Sequence, residues 1–87
     1  MDFISLNNDL SINSVFGIAV RKLREQKGWS QEKFAEIAGI HRTYVSSIEL
    51  GKVSVSIEVA EKLSKSLGLR LSQLIKLAED GKVERGF

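Results

Sequence analysis

Few side chains in this sequence have the types and spacing that covalent chemistry needs. His41 is the only histidine and there is no cysteine. No imidazole pair or thiolate set can therefore hold a metal, and no Cys–His nucleophile can form. The carboxylates are scattered at helix-surface spacing. Gly51-Lys52 is not half of a phosphate-binding loop, because the upstream glycine of such a loop would fall at Ser46. No enzyme, cofactor or metal is expected. What the chain does concentrate is hydrogen-bonding capacity, in the run Arg42-Thr43-Tyr44-Val45-Ser46-Ser47. A guanidinium can donate two parallel bonds to O6 and N7 of guanine. Threonine offers a hydroxyl, and a methyl that meets thymine; serine is short enough for close approach. Arg42, Thr43, Ser46 and Ser47 are the candidate base-reading residues. Gln31, Tyr44, Lys52, Ser54 and Ser56 are the candidate phosphate contacts. Gln31 would open a helix and the two serines would precede another, where unpaired N–H groups and the dipole favour an anion. Such contacts set register on a duplex without carrying sequence information. The bland alternative is a solvated helix face that binds nothing. His41 falls where Ser, Thr or Asp would make a better cap. It either caps the next helix poorly or faces a ligand, with an exposed helix end as the default.

These side chains need helices to hold them, and glycine marks where the helices stop. Proline is absent. Gly28, Gly39, Gly51, Gly68 and Gly81 each follow a segment of helical period, as C′ glycines do. The expected helices run roughly over 14–27, 31–38, 42–50, 56–67 and 71–80. The inward stripe of the first is Ile12, Phe16, Ala19, Val20 and Leu23. The fourth repeats the pattern with Ile57, Ala60, Leu63 and Leu67, and the fifth with Leu71, Leu74, Ile75 and Ala78. No strand alternation or hairpin chemistry appears, so the class is all-α. The second and third helices meet in one tight window. Phe34, Ala38, Ile40, Val45 and Ile48 are apolar where crossing helices bury side chains, Ala35 is small where they touch, and Gly39 stands at the corner. That is a helix-turn-helix over 31–50, whose second helix would lie in the DNA major groove with its N-terminal residues at base edges. Ser30 is a good N-cap, Trp29 and Phe34 stand at staple positions, and Glu32 complements the dipole. The staple accounts for Trp29 better than base stacking does.

Eighty-seven residues suit one small domain over 1–87, with a core of about 14–80 and tails at 1–11 and 82–87 that order only on contact. The lack of cysteine suits a reducing cytoplasm. No apolar run approaches a membrane span, and Met1 to Ser14 does not read as a secretory signal. The expected place is the cytoplasm, in association with the nucleoid. A net charge of +2 is too mild to reveal a nucleic-acid partner by itself. Distribution says more: Arg21, Lys22, Arg24 and Lys27 cluster in the first helix, while Arg42 and Lys52 bracket the third.

The pattern Leu23-Arg24, Trp29-Ser30-Gln31, Phe34-Ala35, Ala38-Gly39, Val45-Ser46 and Ile48-Glu49-Leu50-Gly51-Lys52 resembles the Cro/repressor-type helix-turn-helix. The stretch Ile40-His41-Arg42-Thr43-Tyr44-Val45-Ser46 is more similar still to the controller proteins of restriction-modification systems. The resemblance covers about 14–80 and implies a five-helix, lambda-repressor-like fold, a homodimer and a pseudo-palindromic operator in double-stranded DNA. It also implies Gln31 on a phosphate, and Arg42, Thr43 and Ser47 at base edges. Arg24 and Glu49 fall near the seam between the first and third helices, and the resemblance implies that they form a partly buried ion pair. Two departures stand out: Arg70 occupies a position where Ser or Thr often caps the fifth helix, and a polar segment precedes the first.

The expected reading is a sequence-specific transcriptional regulator. Leu71, Ile75 and Leu77 are the candidate dimer-interface residues, since one small domain cannot bury all the apolar surface of its last helix. The alternative is that these residues cap the core against residues 1–12. Two other functions compete: an antitoxin of the same fold whose tail holds a toxin, and a module that bridges a transcription factor or polymerase with DNA contact secondary.

Overall fold

The computed structural model describes residues 10–81, which form five helices and no strand. These are α1 (Ile12–Gln26), α2 (Gln31–Ala38), α3 (Arg42–Glu49), α4 (Ile57–Ser66) and α5 (Leu71–Asp80). Each helix sends one nearly or fully buried side chain to a common centre: Val20, Phe34, Ile48, Leu63 and Leu74. Burying a side chain of this size contributes roughly 1.5–3 kcal/mol, so no helix can leave the centre without loss. α1 packs on both α3 and α5, α2 on α3 and α4, and α4 on α5.

Serine hydroxyls set three of the starts. Ser11 accepts from the Ser14 N–H at 3.1 Å, Ser30 from Lys33 at 2.9 Å and Ser56 from Val59 at 3.1 Å. The first of these opens α1 at Ile12, two residues before the expected start at 14. α5 begins without a side-chain acceptor at Arg70. Instead the Gln73 Oε1 reaches back to accept the Arg70 N–H at 2.8 Å, the reverse half of a capping box. The stops follow the glycines: all five take positive φ, between 61° and 78°.

Gly17 fixes how closely α1 and α3 approach. A Cβ there would collide with the carbonyl oxygen of Ile48 and stand 2.9 Å from that of Glu49. Two residues expected in the core are not buried. Ile12 is 55% exposed and Ile57 is 76% exposed. Both lie in the first turn of their helices, Ile12 at the groove between α1 and α5 and Ile57 as the first residue of α4. The inward stripe of α4 is Ala60, Leu63 and Ser64, continued by Leu67 at its C-cap. Ser64 is tolerated there because its hydroxyl donates to the Glu61 carbonyl at 2.8 Å. Leu23, Ile40, Leu71 and Ile75 are half-buried at the core's edge. Most of the expected tails, 1–9 and 82–87, lie outside the described residues.

Candidate nucleic-acid interface

The turn between α2 and α3 is three residues long, Gly39-Ile40-His41. Gly39 takes φ 74°, and its N–H and that of Ile40 both donate to the Ala35 carbonyl, at 2.8 and 3.0 Å. Two carbonyl-directed bonds therefore close α2 while redirecting the chain. α3 then lays Val45 and Ile48 against the core. At about 100° per residue, Thr43 and Ser47 point away from that seam, with Arg42 and Ser46 to one side. Arg42 and Thr43 are exposed, and Ser46 and Ser47 half-buried. Tyr44 is half-buried and packs against the core, so less of it is offered to a ligand than of its two predecessors.

A charged clamp holds the far end of α3. The Arg24 guanidinium donates from Nε to Glu49 Oε2 at 2.6 Å and from Nη2 to Oε1 at 2.9 Å. Its Nη1 donates to the Trp29 carbonyl at 2.7 Å. The hydrogen bond to Glu49, opposed by burial and aided by the charges of Glu49 and Glu25, raises the Arg24 guanidinium above its ordinary pKa. Gln31 completes the clamp, its Nε2 donating to Glu49 Oε1 at 3.0 Å. One amide N–H of Gln31 is thereby committed; the other can still meet an anion. Trp29 stacks on Phe34 with ring centroids 6.0 Å apart and carries the Lys27 ammonium over its face at 5.6 Å. The staple thus locks the loop whose carbonyl orients Arg24.

The remaining candidate phosphate contacts are exposed. Lys52 follows α3, with its N–H donating to the Ser47 carbonyl at 3.0 Å. The Ser56 hydroxyl accepts the α4 cap bond and retains its hydrogen for an anion. Ser54 accepts from Asn13 Nδ2 at 3.1 Å, a link from α1 to the α3–α4 loop that side-chain type alone does not announce. His41 caps α3 through its ring: Nδ1 accepts from the Thr43 N–H at 3.2 Å and lies 2.8 Å from the Thr43 hydroxyl. The imidazole does cap, by a route that tables of cap residues omit.

The basic cluster of α1 does not form one surface. Arg24 is buried in the clamp, Arg21 pairs with Glu25 at 3.0 Å, and Lys22 lines a groove between α1 and α5. That groove, of about 510 Å³, also takes Leu10, Ile12, Val15, Ile18 and Leu77. Leu71 and Ile75 lie on the other flank of α5, since two residues' separation turns Leu77 about 200° from Ile75. The three interface candidates therefore do not share one face. No group of three His, Cys, Asp or Glu side chains that could hold a metal occurs among the described residues. No helix among them is long and apolar enough to cross a membrane.

The geometry has relatives. A helix-turn-helix family model matches residues 20–79. Control protein C.BamHI of Bacillus amyloliquefaciens is 41% identical over 76 residues, spanning 86% of this chain and 94% of that protein. Control protein C.MunI of Mycoplasma sp is 48% identical over 68 residues, spanning 77% and 89%. Among solved structures, the restriction-modification controller protein C.AhdI from Aeromonas hydrophila superposes with a TM-score of 0.69 at 37% identity, over 71% of this chain and 94% of that one. The hypothetical transcription factor NHTF from Neisseria superposes at 0.71 with 35% identity, over 75% of each chain.

Proposed function

This chain belongs to the helix-turn-helix family of DNA-binding transcription regulators, and from that premise we propose that it is a restriction-modification controller acting as a homodimer on a pseudo-palindromic operator. One observation carries the reading. The outward face of α3 presents Arg42 and Thr43 exposed, with Ser46 and Ser47 beside them, while Val45, Ile48 and Glu49 hold the helix rigidly from behind. A rigid helix with short polar side chains and one guanidinium fits the major groove, where donors and acceptors differ for every base pair. Gln31, Lys52, Ser54 and Ser56 surround that face and would hold the flanking phosphates, with the Tyr44 hydroxyl at its edge.

The dimer would form on α5 through Leu71 and Ile75. They lie about 40° apart on one flank, as a self-complementary patch requires. Leu77 belongs to the groove with Ile18 instead. Half-sites would then be about 34 Å apart. The protein would act in the cytoplasm on nucleoid DNA.

Titrations of Arg42→Ala and Lys52→Ala against operator and single-base variants, at two salt concentrations, test the docking. Arg42→Ala is expected to lose about 1–3 kcal/mol and to relax preference at one guanine. Lys52→Ala is expected to weaken all sequences alike and to lower the salt slope by about one per site. If Arg42→Ala leaves base preference intact, α3 does not enter the groove as described.

A further inference from the structure

The proposed docking leaves His41 without a task, yet its ring touches Thr43 twice. The Thr43 N–H is one of the unpaired donors at the start of α3. Those of Tyr44 and Val45 both reach the His41 carbonyl, at 3.0 and 3.2 Å, whereas that of Thr43 meets His41 Nδ1 at 3.2 Å. A backbone N–H can only donate, so Nδ1 accepts and carries no hydrogen, and the neutral ring holds its proton on Nε2. The Thr43 Oγ1 lies 2.8 Å from the same Nδ1. With no hydrogen on the nitrogen, the hydroxyl is the donor in that contact.

A threonine hydroxyl has one hydrogen and two lone pairs. Once its hydrogen is held by His41, the side chain presents only lone pairs and a methyl group to whatever α3 faces. We infer that His41 is a positioning residue for specificity: it makes Thr43 an acceptor-only reader, selecting a base with an amino group in the major groove. That class is adenine, through N6, or cytosine, through N4. Guanine O6 and N7 and thymine O4 are acceptors, and a hydroxyl without a free hydrogen cannot satisfy them. Without the imidazole, a free hydroxyl rotates and serves either class. The inference rests on the proposed placement of Thr43 at a base edge.

The test has an arm that needs no DNA and an arm that does. Two-bond proton–nitrogen correlation of the imidazole, in mildly alkaline solution, is expected to show the Nε2–H tautomer. A ring protonated on Nδ1 overturns the inference. With operator DNA, the base facing Thr43 is located as the position where Thr43→Ala relaxes preference. Replacing the adenine of that pair by purine, or its cytosine by 2-pyrimidinone, removes the major-groove amino group and is expected to weaken wild type more than Thr43→Ala; equal losses in the two overturn the inference. His41→Gly keeps a tolerable N-cap at small cost in stability but removes the anchor. It is expected to melt near wild type and to reduce discrimination at that base pair roughly fivefold, the equivalent of about one net hydrogen bond. His41→Asn, whose carbonyl can accept from both Thr43 groups, is expected to restore the discrimination. If Thr43→Ala relaxes a base preference and His41→Gly leaves it unchanged, His41 is a cap and nothing more. If Thr43→Ala changes no preference, the docking itself fails, and the tautomer result still stands alone.

Discussion

Removing Glu49 should be among the most damaging single truncations in this molecule, although the residue is charged. The side chains of Arg24 and Glu49 keep only 10% and 2% of their accessible surface. In Glu49→Ala the guanidinium loses both hydrogen bonds to the carboxylate and keeps one, to the Trp29 carbonyl. Gln31 loses its acceptor as well. Leaving one member of a buried pair unpaired costs about 3–5 kcal/mol. A domain of this length has about 4–13 kcal/mol of stability in all, at about 0.05–0.15 kcal/mol per residue. Glu49→Ala should therefore lose a large share of that stability, and all of it if the domain lies at the lower end of the range. The pair itself need not be a net stabiliser, because burying two charges offsets most of their attraction. Replacing both, as Arg24→Met with Glu49→Leu, removes the orphan charge and is expected to recover to within about 2 kcal/mol of wild type. Urea unfolding of wild type, Arg24→Met, Glu49→Leu and the double variant at fixed protein concentration, followed by fluorescence of the single tryptophan Trp29, gives the four corners of the cycle, with Glu49→Ala measured beside them. Two results would refute the reasoning: a Glu49→Ala loss below about 1 kcal/mol, or a double variant no better than the sum of its singles.

Gly17→Ala gains about 1 kcal/mol of helix propensity, but its methyl meets the backbone oxygens of Ile48 and Glu49, which cannot rotate away. Overpacking costs about 1–3 kcal/mol, so the melting temperature should fall and operator affinity with it; a variant that melts above wild type would show that α1 and α3 are not so close. At Gly39 the space around a Cβ is open and only positive φ penalises a side chain. Gly39→Val should lose about 1–3 kcal/mol and Gly39→Asn much less, which paired thermal melts will show. Ile75→Glu is expected to give a folded monomer and Leu77→Glu a folded dimer in sedimentation; the opposite pattern would move the interface to the groove beside α1.

Legibility followed the range of the physics. A stop glycine, a serine cap and the Trp29–Phe34 staple each depend on neighbours within one or two turns, and all were readable along the chain. The resemblance to controller proteins, carried by the stretch from Ile40 to Ser46, stands with the relatives found. Contacts between distant segments were harder to see. Gly17 lies in mid-helix, where glycine has no capping role, and only the carbonyls of Ile48 and Glu49 explain it. Periodicity names the face that Ile12 and Ile57 share with the core, but not how far along the helix a neighbour extends. Four basic residues close in sequence looked like one patch; helical rotation sends them to a clamp, a groove, an ion pair and an indole face. Ile75 and Leu77, close in sequence, fall on different flanks of α5 for the same reason.

On the proposed docking, a similar division of labour would let a fixed domain serve different operators. On α3 the inward residues Val45, Ile48 and Glu49 are all buried, and each is constrained by a separate partner: apolar neighbours for the first two, Arg24 and Gln31 for the third. Arg42 is exposed, Ser46 and Ser47 are half-buried outside the apolar core, and substitutions there are expected to change stability by about 0.5 kcal/mol. On the proposed docking, stability and recognition are therefore written on opposite sides of one helix and can be changed independently. Val45→Ala should lower the melting temperature while the folded fraction keeps its base preference. Ser47→Ala should do the reverse, melting with wild type while its preference at one base pair changes. Measuring both quantities on both variants decides the point. If Ser47→Ala unfolds the domain, or Val45→Ala rewrites its preference, the two faces are coupled and α3 is not the rigid reader described.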